Sequence, residues 1–299
     1  MKATVLSHRV LENIPSASGI EFLNDQFYII SDNSVWLYIL NSDFEIVNLK
    51  QIFPEPELKN GVIPKKNKPD FEALTIINTD NGIRLFVLGS GSKSPERDKA
   101  FLFNTETLNE DPEELSLTDL YDYLRKLPEV AEGYKLNIEG VAASEDKIFL
   151  LQRGNISENN ALITYDKLSF LNYLQNKTTL KPNPEIKNFT LPTKKKILSG
   201  FSGASYVAER EFILFTATIE DTENEIEDGP TLGNFIGIVD LENPKSAPDC
   251  ALVMIGEDVF NGKIESITPI LIHENYIKAI AVTDNDGEAS EILEIELTW

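Results

Sequence analysis

Ile138-Glu139-Gly140-Val141 has four counterparts in this 299-residue chain: Ala17-Ser18-Gly19-Ile20, Phe71-Glu72-Ala73-Leu74, Phe201-Ser202-Gly203-Ala204 and Ile264-Glu265-Ser266-Ile267. Each places a serine or glutamate before a small residue and then opens an apolar run. The polar positions are 54, 67, 63 and 63 residues apart. Recurrence at such spacing is the signature of a repeated supersecondary unit.

Working outward from each phrase, the pattern predicts successive strands separated by Asn, Asp and Ser turns. The first unit reads as strands over 18–22, 26–31, 35–40 and 45–53. The second reads as 71–77, 83–89 and 100–104, with Asn81-Gly82 as a hairpin turn. There an insertion hides the fourth strand, and Leu117, Leu120, Leu124 and Leu127 predict a short helix capped by Ser116 and stopped by Pro128. The third unit reads as 138–143, 147–152, 161–165 and 186–191, with a helical turn over 168–174. The fourth reads as 202–207, 211–217, 235–240 and 251–255. The fifth has 264–272, 276–283 and 291–297 and lacks one strand.

An alternating stretch over residues 2–11 supplies the missing strand. Pairing it into the last unit closes a ring and removes sheet edges that would otherwise invite aggregation. The expected fold is therefore all-β: a five-bladed β-propeller of four-stranded antiparallel blades, with the N-terminal strand closing the last blade. Six blades, or a pair of β-sandwiches, are the structural alternatives. No linker divides the chain, which predicts one domain over residues 1–299. Trp36, Tyr38 and Tyr165 fall on strands and are expected to pack between blades.

Composition narrows the function classes. The chain is 41% hydrophobic, enough for a substantial core. Its net charge of −22 argues against nucleic acid and anionic membranes as partners. One cysteine, Cys250, fits a reducing, cytoplasmic setting, and the first residues lack a signal-peptide core. Two histidines make a histidine-based metal or catalytic cluster untenable.

Blade geometry brings Ser18, Glu72, Glu139, Ser202 and Glu265 to the start of the innermost strands, near the top of a central channel. Crowded carboxylates raise one another's pKa unless a cation joins them. An all-oxygen ring of this kind suits Ca²⁺ better than Mg²⁺. Ordinary strand-opening polar residues, bonded to backbone, are the competing reading.

Loops on the same face carry Asp32, Ser90, Lys93, Arg97, Arg153 and Asp284, with Lys65, Lys66, Lys68 and Lys194–Lys196 in the loops entering inner strands. Arg153, Arg97, Lys93 and Ser90 are candidate contacts for a small anionic ligand. Arg153 could equally pair with an inner carboxylate. Asp32 and Asp284 are candidate bases.

The order Ser18, Glu72, Glu139, Ser202, Glu265 resembles that of the calcium-activated nucleotidases (apyrases). So does Ser18-Gly19-Ile20 followed by Phe27-Tyr28-Ile29-Ile30-Ser31-Asp32. Ile138-Glu139-Gly140-Val141-Ala142 is similar to bacterial esterase-like phytase-domain propellers. These resemblances imply a central Ca²⁺ and hydrolysis of phosphate esters or anhydrides. Two functions remain open: a calcium-dependent hydrolase, or a non-catalytic calcium-bearing propeller whose top face binds a ligand.

Overall fold

The computed structural model describes residues 1–54, 63, 68–131, 133–154, 157–221, 229–285 and 289–299. The positions Lys65, Lys66, Asn155, 222–228 and Asp286 of the expected top-face loops lie outside the described residues.

Chain order begins with β1 (Lys2–Pro15), followed by a meander of β2 (Ala17–Leu23), β3 (Gln26–Ser31), β4 (Trp36–Leu40) and β5 (Ile46–Gln51). A second meander holds β6 (Phe71–Thr79), β7 (Gly82–Gly89), β8 (Lys99–Asn104) and β9 (Glu113–Ser116), trailed by helix α1 (Thr118–Leu124). The third has β10 (Ile138–Ala143), β11 (Lys147–Gln152) and β12 (Asn160–Asp166), then helix α2 (Lys167–Leu174) and β13 (Glu185–Phe189). After β14 (Thr193–Lys194) come β15 (Ile197–Val207), β16 (Phe212–Glu220), β17 (Thr231–Asp240) and β18 (Asp249–Ile255). The chain finishes with β19 (Asp258–Val259), β20 (Lys263–Ile272), β21 (Tyr276–Asp284) and β22 (Ala289–Thr298).

The first three meanders are separate four-stranded sheets. The remaining strands form one larger sheet, in which β15–β18 and β20–β22 with β1 are two antiparallel runs. Among the described residues these two runs are paired through Ala3↔Val253 and Thr4↔Met254, a short parallel bridge. β1 pairs antiparallel with β22 from Lys2↔Thr298 to Pro15↔Ala289. The spare N-terminal strand thus completes the run that lacked a member.

Burial falls from the inside outward. β2 and β10 are almost wholly buried, while β5 and β9 are mostly exposed. This explains why first strands read as small and apolar, and why β9, with Glu113 and Glu114 on an open edge, is hidden in the sequence. The first strands β2, β6, β10, β15 and β20 touch in a closed cycle and so surround a common axis. Apolar clusters fill the space between every neighbouring pair of runs, from Leu37–Leu74 through to Ile20–Ile280. Tyr38 and Tyr165 are buried in two of these clusters, and Trp36 packs against one.

Two local expectations need correction. Ser116 does not cap α1: Leu117 holds that position without a side-chain cap, and Ser116 Oγ accepts from Thr118 N at 3.4 Å within a preceding turn. β15 begins at Ile197 rather than Ser202, because Thr193↔Leu198 adds a short hairpin ahead of the apolar run. The Asn81-Gly82 hairpin forms as expected, with Gly82 at φ +94.

Candidate metal centre at the channel mouth

The five repeated polar residues share one backbone device. In every first strand the pairing register skips a residue: between Ala17 and Gly19, Phe71 and Ala73, Ile138 and Gly140, Phe201 and Gly203, and Ile264 and Ser266. The skipped residues are Ser18, Glu72, Glu139, Ser202 and Glu265. A bulge leaves its extra residue unpaired and re-aims its side chain. The small residue that follows lets the next strand approach closely. A Cβ at Gly203 would lie 2.4 Å from Glu265 O, and one at Gly140 would lie 3.1 Å from Ala204 Cβ.

The serines and glutamates use this device differently. Ser18 Oγ donates to Phe71 O at 2.5 Å, and Ser202 Oγ donates to Ile264 O at 2.7 Å. Each hydroxyl therefore stitches its strand to the residue just ahead of the next unit's glutamate. Ser202 also lies 3.0 Å from Thr216 Oγ1 and 3.1 Å from Thr218 Oγ1.

The glutamates repel one another. Burial first, then Glu139, Asp70, Asp32 and Glu265, push the Glu72 carboxyl well above the usual range. Glu265 is raised well above it too, by burial first, against Lys263, with Glu139 and Asp284 adding to the rise. Glu139 is pushed up to about 7 by burial, against the pull of Arg153 and Lys263. Its Oε1 accepts from Asn137 Nδ2 at 2.5 Å. Neither Glu265 oxygen makes a hydrogen bond among the described residues, although Oε1 is 3.0 Å from Lys263 Nζ.

Cations interleave with these carboxyls. Arg153 Nη2 donates to Glu220 Oε2 at 2.7 Å and lies 3.7 Å from Glu139 through Nη1. Lys263 Nζ stands 3.2 Å from Glu220 and 3.9 Å from Asp284. Lys68 bonds Asp32 and approaches Asp70 at 3.8 Å. Arg97 Nη1 donates to Asp70 Oδ2 at 2.5 Å, and Ser90 Oγ donates to the same oxygen at 2.5 Å. The segment from Ser90 to Arg97 thus wraps a carboxylate. Lys93 pairs with Glu96 at 3.3 Å on the surface.

Asp32 is pushed up to about 7, chiefly by burial, with Lys68 opposing and Asp284 and Asp70 adding to the rise. Its Oδ1 is buried without a hydrogen bond among the described residues. Carboxylate oxygens of Asp32, Asp70 and Glu72 lie within 4.8 Å of one another. All donors here are oxygens, crowded and incompletely compensated, which is the chemistry a hard cation satisfies.

The structure brings ten of the expected site residues, all but Lys93, to this end of the axis or into its charge network. It also adds Asp70, Asn137 and Lys263. These sit two positions ahead of the bulges at 72, 139 and 265, so reading the repeat two residues earlier would have found them. Cys250 is half-buried, and burial followed by Asp249 pushes its thiol up to about 12, leaving it inert.

Known structures show the same architecture. Glutaminyl cyclase from Myxococcus xanthus superposes with a TM-score of 0.53 at 10% identity, covering 98% of this chain and 95% of that one. An α-L-arabinanase mutant from Cellvibrio cellulosa gives 0.50 at 10% identity, over 97% and 93%. A calcium-binding regucalcin from Agrobacterium tumefaciens gives 0.42 at 12% identity, over 98% and 95%. The first two likenesses establish a β-propeller-type fold and nothing about activity. No curated protein matches. Residues 13–297 match a family described as being of unknown function, and the chain belongs to that family, DUF6929.

Proposed function

We propose that this protein is a single-domain, five-bladed propeller that binds Ca²⁺ at the channel mouth. The closed cycle of first strands and the apolar clusters between neighbouring runs support five blades. The five equivalent bulges carry the metal reading, because each takes one oxygen-bearing side chain out of the ladder at the same position of its first strand. Glu72, Glu139 and Glu265 would supply charge, Ser18 and Ser202 neutral oxygens, and Asp32 and Asp70 a flank near Glu72. A divalent ion there relieves the repulsion among the glutamates. A small anionic ligand on the ion's open side would have to draw Arg153, Arg97 and Ser90 away from Glu220 and Asp70, with Lys93 farther out. The lone cysteine supports a cytoplasmic setting. Among the described residues no helix is long and apolar enough to cross a membrane.

Calcium titration of the wild type against Glu139→Gln and Glu265→Gln tests this reading. An ion held only by the folded state stabilises by about 2.7 kcal/mol at a hundredfold excess over Kd. The expected result is a Ca²⁺-dependent rise in Tm, reversed by chelator and lost in both variants. An unchanged Tm across the titration refutes the metal.

A second reading has its own observation. A buried carboxyl near neutrality with a free oxygen, as at Asp32, is suited to general-base work. With Asp284 beside it and Ca²⁺ polarising a phosphoryl oxygen, the site would hydrolyse phosphate esters or anhydrides, in keeping with the resemblance to calcium-activated nucleotidases. Turnover of a phosphoester and nucleotide panel with Ca²⁺, abolished by Asp32→Asn, is the expected result. No turnover on any member leaves the binding function alone.

A further inference from the structure

The end of the molecule opposite the channel mouth carries a second concavity. A cleft of about 290 Å³ opens between the third and fourth meanders. β11 runs from Lys147 at this cleft to Gln152 beside Arg153, so its six residues hold the two places roughly 20 Å apart.

The floor is apolar and aromatic. Buried Phe149 and half-buried Tyr206, one from each meander, stack with ring centroids 6.2 Å apart and planes at 26°. Leu162 and Leu241 complete it. The rim is acidic on both sides, with Asp146 and Glu185 from the third meander and Glu211 and Glu242 from the fourth. Lys187, one of two lysines here, is bonded across the cleft to Pro244 O.

The rim has local support: Ser144 Oγ donates to the Asp146 carboxylate at Oδ1, 2.8 Å away, and the Glu211 backbone carbonyl accepts from Leu241 N at 3.2 Å. After burial, a hydrogen bond with Glu211 and the charges of Glu211 and Asp146 push the Tyr206 phenol up, so both carboxylates act on this ring.

An aromatic face beneath an acidic rim favours a planar cation on an apolar stem: the stem covers the floor, the cation faces the ring, and the rim supplies its counter-charge. Anions meet repulsion here, and a purely apolar ligand would desolvate the carboxylates without a partner. We infer that this cleft binds a guanidinium on an apolar stem, as carried by an arginine side chain or a free guanidino compound.

Calorimetric titration of the full chain with acetyl-Gly-Arg-Gly-amide and with agmatine tests the site, with the neutral isostere acetyl-Gly-citrulline-Gly-amide as control. Saturable binding of a cationic probe is expected, about tenfold tighter than the citrulline peptide. Binding of the peptide alone assigns a peptide-borne arginine; binding of agmatine, alone or with the peptide, assigns a free guanidino ligand. Glu211→Gln should weaken binding about threefold to fivefold. Tyr206→Leu, which removes the aromatic face, should weaken it further. Thermal unfolding checks that both variants fold. The inference is overturned if neither cation saturates, if the citrulline peptide binds equally, or if binding survives both substitutions unchanged.

Discussion

The bulges at Ser18 and Ser202 and those at Glu72, Glu139 and Glu265 are one backbone geometry put to two uses. The serines donate to Phe71 O and Ile264 O and hold neighbouring strands together. The glutamates face one another and raise one another's pKa. The same re-aimed position therefore stabilises the ring where it carries a hydroxyl and stresses it where it carries a carboxylate. Sites that bind ions commonly hold such uncompensated charge in the apo state, and stability recovered on binding is its signature.

The largest effect expected on this balance comes from Arg153. Arg153→Met leaves buried Glu220 with Lys263 and buried Glu139 with Asn137, and should cost about 3 kcal/mol in urea unfolding. Gly203→Ala should cost up to about 3 kcal/mol, because the new Cβ collides with Glu265 backbone. If it is tolerated, the close approach behind the fourth bulge is not what holds the strands in register.

Opposite signs should then separate the two kinds of bulge. Ser202→Ala should lower stability by about 1–2 kcal/mol, with Thr218 left to bond Ile264 O. Glu72→Gln, measured in chelator, should raise Tm, since the folded state no longer has to bear a charge its neighbours repel or take up a proton the unfolded chain has lost. Matching signs would mean that the glutamates also stitch strands.

The smallest effect is a pH slope carried by Glu21, three residues beyond the first bulge. Burial pushes this carboxyl from 4.5 up to about 8, against hydrogen bonds from Thr268 and Thr75 on the two flanking first strands. A raised carboxyl pKa means that the folded state holds its proton while the unfolded chain has lost it. This contribution to stability is complete below about pH 4.5 and declines as pH rises toward 8. Tm followed over that range in chelator should fall, and Glu21→Gln should flatten part of the slope.

How much of this could be read beforehand follows from the physics of each feature. The five phrases stood out because a bulge that must point inward, followed by a strand that must pass closely, restricts two adjacent residues at once. Asp70 sits in the left-handed region at φ +55, but an aspartate there reads as an ordinary turn residue, and Lys263 at the start of β20 reads as an ordinary charge. The pairing of Arg153 with Glu220 joins residues 67 apart, and no local pattern encodes it. β9 was hidden because an exposed edge strand selects for charge rather than alternation. The resemblance that named calcium rested on the ring positions, whereas the cations expected to greet a ligand turned out to be bound to carboxylates.

The pairing of β1 with β22 also sets the order of events in the cell. Val5 and Ile295 face each other across nearly the whole chain, so this contact has close to the greatest sequence separation available. Loop closure of that length slows folding, and it cannot begin until β22 has left the ribosome. Until then the fifth run offers the edge of β21 that β22 will cover to any other extended chain, and β1 lacks its partner. A nascent chain stalled before residue 289 should therefore engage chaperones longer than the finished protein, and should aggregate through that edge.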